Sequence, residues 1–432
     1  MDLKERGLFL REIRKKLGKR MEDLEDENIS RGTIGNIETG KPHVREPKVK
    51  YYCEKLGVNY DALPHLIEER RQRLGEYKQK VLADLRKIEL MIDVTQDNTG
   101  LKMLRKINVP KELSNVVDYL KGKSYIYLND PDKAEKHFKQ VVKATSRNVE
   151  NVVACAYNEL SKIAYYRNDF VTAVKYIDQG LAAYDKKDWR QYIYYNLQSN
   201  KILYLDKLDR TNEAEDLCKR LWQEREKINH ISVLLNLYDL KGQIYRKKRK
   251  YDEAIQLITE GIQIARYNRE KRRIVELLIT LGSIYMTKKD YDQAADCLDM
   301  ALQVTQLLDD QYLHTTIIVK LGELQMRQGK LDQAKQTLHE VIKNKGRGIT
   351  KYVKALTVYG DCNMLQNQTD DALNYYLTAL DLAQKHLLQQ QELEILEKIA
   401  KVYLETKKEK EYKDTLDKFF RLYVQLNGNK YI

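Results

Sequence analysis

Leu281-Gly282-Ser283-Ile284-Tyr285, followed by Ala294, Leu298 and Ala301, is one copy of a pattern that returns about every forty residues from Gly122 onward. Aligned on its central alanine, the series runs Ala134, Ala173, Ala214, Ala254, Ala294, Ala334 and Ala372, with Tyr412 in the last slot. The steps are 39, 41, 40, 40, 40, 38 and 40 residues. Self-similarity at a fixed period means stacked units, none of which can bury its own apolar face alone. The spacing predicts a helical solenoid of about eight units. Such arrays present a long surface that holds something, so a binding protein is expected here and not an enzyme.

Composition agrees. Among 432 residues there are only 5 Pro and 19 Gly, and no run of alternating β-branched residues argues for a sheet. The chain therefore reads as all-α. The net charge of +13 fits DNA or another acidic partner, and equally a solvated lysine-rich surface. Cys53, Cys155, Cys218, Cys297 and Cys362 lie far apart without a Cys-x-x-Cys pair, and the seven His are scattered. These read as free thiols in a reducing cytoplasm, with no metal and no cofactor expected. The start, Met1 to Arg6, lacks the apolar core of a signal peptide, and no apolar run approaches the ~18–20 residues of a membrane span.

Three segments are expected: residues 1–65 as a bundle of short helices, 66–106 as a linker, and 107–432 as the array. In the first, Leu8, Leu10, Ile13 and Leu17 form an apolar stripe, and Met21 to Asp26 reads as a second short helix. Ser30 caps a third, Arg31 to Glu38, ended by Gly40. A fourth follows Pro47 and stops at Gly57. In the linker, Ile67, Leu74, Val81 and Ile88 sit seven apart on a long charged helix from Pro64 to about Asp93. That spacing suits a coiled-coil seam or packing on the array. Gln96 to Lys106 reads as a polar join, and Leu422 to Ile432 as a tail.

The head resembles the Xre/lambda-repressor helix-turn-helix domain. The resemblance is carried by Leu10-x-x-Ile13-Arg14, by Ile29-Ser30-Arg31-Gly32-Thr33-Ile34-Gly35-Asn36-Ile37-Glu38-Thr39-Gly40-Lys41, and by Leu56 to Leu63. It implies that the third helix enters the major groove of double-stranded DNA. Ser30, Arg31, Thr33 and Asn36 would then meet bases or phosphates, and Arg20, Lys41, His43 and Arg45 would neutralise phosphates. Glu38 would hold the fold. Two departures stand out: Met21 and Glu25 occupy slots where that family usually has a phosphate-binding Gln and a small Ala.

The Gly/Tyr/Ala code of the array resembles tetratricopeptide repeats, here with a longer period, and implies a right-handed solenoid whose first helices line a concave face. Counting back from each central alanine gives lining columns 18, 15, 11, 8 and 7 residues earlier. They place Asn158, Lys162, Asn196, Ser199, Asn236, Asp239, Gln243, Arg246, Ile279 and Ser283 as candidates to hold a peptide. An Asn amide donates and accepts at once, so Asn158, Asn196 and Asn236 in adjacent units suit an extended peptide backbone.

A helix-turn-helix head, linker helix and repeat array together resemble the Rap/Rgg/NprR/PlcR/PrgX group of peptide-pheromone receptors, with NprR-like length. The resemblance implies a cytoplasmic homodimer, or a higher oligomer. Its array would bind a short imported signal peptide, which changes dimer shape or assembly and thereby DNA binding. Two alternatives are a Rap-like protein that binds or dephosphorylates a response regulator, for which only Gln72 and Gln79 of the linker offer a comparable Gln, and a protein-binding scaffold whose head has no DNA role.

Overall fold

The computed structural model describes residues 2–144, 149–308, 310–344 and 348–427, and among them it contains helices and no strand. It divides into two compact units, Met1–Leu128 and Asn129–Ile432.

The first unit holds α1 (Leu3–Lys16), α2 (Arg31–Glu38), α3 (Glu46–Lys55), α4 (Leu63–Thr95), α5 (Thr99–Leu104) and α6 (Ser114–Tyr127). Leu10, Leu24, Ile29, Ile34, Ile37, Val49, Tyr52, Cys53 and Leu63 form one core. Only part of the expected stripe on α1 faces it. Leu10 is buried and Ile13 packs at its edge, while Leu8 and Leu17 are exposed.

The expected second helix is a single 3-10 turn, Glu22–Leu24. Local chemistry explains this. The Asp23 carboxylate accepts from the backbone N–H of Arg20 (2.6 Å), and Asp26 accepts from those of Asn28 (2.8 Å) and Ile29 (3.0 Å). Such short-range bonds offer the backbone an alternative to the helical ladder. The like charges of Glu22, Asp23, Glu25, Asp26 and Glu27 also oppose a compact helix.

The long linker helix is present as α4. Ile67, Val81, Leu85, Ile88 and Ile92 are buried and Leu74 is exposed. The C-terminal half of the seam is spent within the unit, on α5 and α6. The residues read as a polar join contain the short helix α5, whose Gly100 lies against Ile92.

The second unit opens with α7 (Pro131–Lys143) and continues as antiparallel helix pairs. These are α8 (Val152–Tyr166) with α9 (Phe170–Ala183), α10 (Tyr192–Lys207) with α11 (Thr211–Gln223), and α12 (Ile231–Lys247) with α13 (Tyr251–Tyr267). There follow α14 (Lys271–Lys288) with α15 (Tyr291–Gln306), α16 (Gln311–Arg327) with α17 (Leu331–Lys343), α18 (Ile349–Leu365) with α19 (Thr369–Lys385), and α20 (Gln389–Glu405) with α21 (Glu409–Asn427). The helix α21 runs through most of the expected tail, the rest of which lies outside the described residues.

All seven central alanines are fully buried. The glycine twelve residues before four of them faces the residue four after. A Cβ added at Gly242, Gly282, Gly322 or Gly360 would lie 2.4, 3.1, 2.6 or 2.6 Å from Ile258, Leu298, Leu338 or Tyr376. One repeat exchanges the sizes: Ile202 takes the glycine slot of α10, and Cys218 takes the large slot of α11, both buried. Compensated volume of this kind is what close-packed cores tolerate.

Two glycine substitutions should move stability in opposite directions. Gly360→Val is expected to cost about 1–3 kcal/mol, because the Tyr376 ring is pinned by its hydroxyl donating to Asp361 at 2.7 Å. Gly75→Ala, exposed on α4 with nothing within 4 Å, is expected to stabilise by about 1 kcal/mol. Urea unfolding of the two variants against the parent decides both.

Candidate functional site

In each pair of the second unit the first helix carries the candidate columns. At 3.6 residues per turn, positions 11 and 7 before the alanine fall within about 20° of position 18, on either side of it, while positions 15 and 8 fall about 60–80° to one side. Burial follows that geometry. The position-7 residues Tyr166, Lys207, Lys247, Thr287 and Arg327 are exposed, whereas at position 15 Asn158, Ser199 and Val319 are buried and Asp239 and Ile279 half-buried. The second column therefore faces the neighbouring helix more than the groove.

This separates the candidates. The Asn158 Nδ2 donates to Glu159 (3.2 Å) and its Oδ1 accepts from the Asn200 amide (2.9 Å), so it ties α8 to α10 and is not free for a ligand. Ser199 is 1% exposed, and its buried hydroxyl has no partner. Asn196 and Asn236, in the first column, are half-exposed, and their amides have no protein partner among the described residues. They present two unused donor–acceptor groups on successive first helices, α10 and α12.

Lys162 is held by Glu159 at 2.7 Å. The Asp239 carboxylate accepts from the Thr280 hydroxyl at 2.5 Å and the Gln243 amide at 2.8 Å, which joins α12 to α14. Burial, helped by the nearby charge of Glu276, outweighs those bonds and pushes the Asp239 carboxyl up to about 6. The Ser283 hydroxyl donates to the Ile279 carbonyl at 2.8 Å, and Ile279 packs at the edge of an apolar cluster. Arg246 is half-exposed beside Lys207 and Lys247.

A second set of groups joins Tyr165, Tyr166 and Lys207 of the counted columns to Tyr312 and Lys351, which lie outside them. Tyr165 and Tyr166, ending α8, are electrostatically coupled to Tyr312 at the start of α16. Lys207, ending α10, is coupled in the same way to Lys351 at the start of α18. Both pairs join first helices four repeats apart. Burial pushes the Lys351 ammonium down to about 8, with the charges of Lys320 and Lys207 acting in the same direction. Its Nζ lies 5.8 Å from the centre of the Tyr312 ring. Counting within repeats cannot find this set, because its members lie four repeats apart.

In the head, the Ser30 hydroxyl caps α2 by accepting from the Thr33 N–H at 3.2 Å and lies 3.0 Å from the Thr33 hydroxyl. The Arg31 guanidinium pairs with Glu22 at 2.8 Å, and its backbone N–H donates to Glu25 at 2.9 Å. Arg20, Lys41, His43 and Arg45 are exposed and Asn36 is half-exposed. Glu38 is buried and bound by Arg14 and Tyr52, the structural role expected for it. Gln72 and Gln79 are exposed on α4.

Among the described residues, no helix is long and apolar enough to cross a membrane. Models of the tetratricopeptide repeat match residues 319–386 and, separately, 119–148, 235–268 and 275–306. No curated protein matches the chain in sequence. Solved structures do match in fold. A Rap protein complexed with Competence and Sporulation Factor aligns with a TM-score of 0.62 at 11% identity, over 81% of this chain and 99% of that one. The apo form of the quorum sensor NprR from B. thuringiensis aligns at 0.56 and 15% identity, over 81% and 99%. NprR in complex with its cognate peptide NprX aligns at 0.55 and 15% identity, over 79% and 89%. The chain thus carries tetratricopeptide repeats and shares the all-α fold of the Rap and NprR structures.

Proposed function

We propose that this protein is a peptide-responsive transcriptional regulator: its array binds a short signal peptide on the recessed face, and its N-terminal bundle is a helix-turn-helix DNA reader. The observation that carries the peptide half is the pair of unused amides, Asn196 and Asn236, on successive first helices. Stacked helices of one repeat type set those amides at a regular interval, as a row of backbone contacts requires. The NprR structure that shares the fold is in complex with its cognate peptide, which supports the same use here. The DNA half rests on the exposed start of α2 with Arg31, on Asn36, and on the basic exit at Lys41, His43 and Arg45.

A peptide switches the protein only if it binds two arrangements of the array with different affinity. In a homodimer, a change in array curvature would alter the distance between two heads and their fit to paired half-sites.

The acidic run from Glu22 to Glu27 favours a second reading. It stands where a phosphate-binding helix is expected, and Glu22 already occupies Arg31. An acidic face of this kind would suit a protein partner such as a response regulator.

Sequencing genomic fragments retained by the purified protein, with and without a peptide extract of the culture, tests the proposal. A discrete site whose retention changes with extract supports it. Salt-sensitive retention without a preferred site moves the head to the second reading. Asn196→Ala with Asn236→Ala should abolish the extract's effect while leaving the melting temperature within a few degrees of the parent, because neither amide bonds to another of the described residues.

A further inference from the structure

The turns that join first to second helices of the array repeat one backbone conformation. The residue five before each central alanine, and before Tyr412, has a positive φ. Asn129, Asn168, Asp209, Gly329 and Asn367 fill this place at φ between 56° and 77°. Asn, Asp and Gly suit the left-handed region, and longer side chains do not. The other turns nevertheless use Arg249 (φ 59°), Lys289 (69°) and Lys407 (56°). All three are exposed, so packing does not explain them. Long cations are kept there against the local backbone preference.

Arg249 and Lys289 stand on neighbouring turns of a basic rim. Arg246 to Lys250 are five cations in succession, Lys288 and Lys289 follow at the end of α14, and Arg327 and Lys330 bracket the turn after α16. The helices that carry these turns pack in order, α12 on α14 and α14 on α16. Packed helices lie roughly 8–10 Å apart, so the turns form a row with about that step. Ion pairs commit some of the cations: Lys247 to Asp206, Lys248 to Glu215, and Lys288 to Asp252 at 2.8 Å. Arg246, Arg249, Lys289 and Lys330 make no ion pair among the described residues. No aromatic residue lies between Arg246 and Lys250, Thr287 and Asp290, or Arg327 and Lys330. Tyr251 and Tyr291, the next rings along, pack against the apolar clusters beneath.

We propose that this rim binds the phosphate backbone of double-stranded DNA without regard to sequence. It is a nucleic-acid surface of the array itself, additional to the one read in the N-terminal bundle. Charge complementarity carries the inference. A duplex presents one negative charge about every 1.7 Å along its axis, so a row of unpaired cations meets phosphates at any step of this size. Single strands are held in part by stacking bases on aromatic rings, and the rim offers none. Long side chains at the left-handed positions extend past the helix ends, where Asn or Gly would leave a phosphate unmet. Such contacts choose no sequence; they add salt-sensitive affinity for whatever duplex lies beside the array.

The test titrates the full-length protein with a short fluorescent duplex of arbitrary sequence over a series of salt concentrations. Arg249→Asn with Lys289→Asn installs the residue found at Asn129, Asn168 and Asn367, so this variant should melt no lower than the parent. Its affinity for the duplex should fall. The slope of log affinity against log salt should become shallower by about 1.8, the worth of two phosphate contacts. The same decrement should appear when the pair is introduced beside Arg31→Ala with Lys41→Ala, which places it outside the N-terminal bundle. Equal affinity and slope in parent and rim variant would overturn the inference, and so would a parent that holds no duplex at low salt. Rim-dependent retention of polyglutamate, with duplex held equally by parent and variant, would overturn it in favour of an acidic protein partner. Absence of a preferred genomic site would end the reading of the head and leave the rim decrement in place, so the two failures are distinguishable.

Discussion

Glu38→Ala is expected to destabilise the N-terminal bundle by about 3–5 kcal/mol, enough to unfold much of it at ambient temperature. The Arg14 guanidinium grips the carboxylate in two places, Nε to Oε1 at 2.6 Å and Nη2 to Oε2 at 2.9 Å. The Tyr52 hydroxyl donates to Oε1 at 2.7 Å, and the other Arg14 nitrogen donates to the Lys19 carbonyl at 2.9 Å. Side-chain exposure is 8% for Arg14 and 1% for Glu38, so the lost partner leaves a charge that water cannot reach. Arg14→Met combined with Glu38→Leu should cost less than Glu38→Ala alone, since no orphaned charge remains. Hydrogen exchange over α1 to α3 in the full chain measures the effect; protection equal to the parent's in Glu38→Ala would refute it.

The same network fixes a pH response. Burial opposes ionisation of Glu38, but the hydrogen bonds from Arg14 and Tyr52 and the charges of Arg14 and Arg11 outweigh it and hold the carboxyl below its ordinary value. A lowered folded value contributes stability that is present above the unfolded pKa and is lost as pH falls through the folded one. The bundle should therefore keep its protection through mild acid and lose it only below the usual glutamate range.

Arg190→Ala is expected to cost the array about 3–5 kcal/mol by the same logic at a different place. Arg190 and Glu150 are each 3% exposed in their side chains and meet at 2.7 Å, and Arg190 also donates to the Glu150 carbonyl at 2.9 Å. Beside them the Asn151 amide donates to the carbonyls of Asp185 (2.9 Å) and Trp189 (2.8 Å), and its Oδ1 accepts from the Asp185 N–H at 2.8 Å. Together they clamp the approach to α8 against the approach to α10. Urea unfolding should show an early transition in the variant, and Arg190→Lys should recover only part of the loss, because an ammonium lacks the planar fork. The helix that bears Asn196 starts two residues beyond Arg190, so peptide retention should fall with it.

The repeat was legible because its code is a packing rule. An alanine or glycine recurs where two helices touch, and Ala134 to Ala372 proved fully buried. Even the departure at Ile202 is readable beside Cys218, since one repeat conserves its volume. The second helix of the head was misread because Leu24 supplied an apolar anchor while Asp23 and Asp26 spent the nearby N–H groups on local turns. Asn158 and Ser199 were misplaced for a geometric reason: the count treated position 15 as part of the same stripe as positions 18 and 11, and the helical angle turns it under the next helix. Lys351 and Tyr312 were out of reach of a count within repeats, because they lie four repeats along from Lys207 and Tyr166, whose charges act on them.

The main contacts of every helix in the array are with the helix before it, the helix after it, or the one beyond. Its contact order is therefore low for a unit of this length, and no early segment must wait for a distant one before it can form. Each pair can close as it leaves the ribosome and serve as a template for the next, with Gly282 and its equivalents docking as soon as the following helix emerges. A large array can thus be assembled at the pace of translation, and a shortened transcript would yield a shorter folded array instead of an unfolded chain.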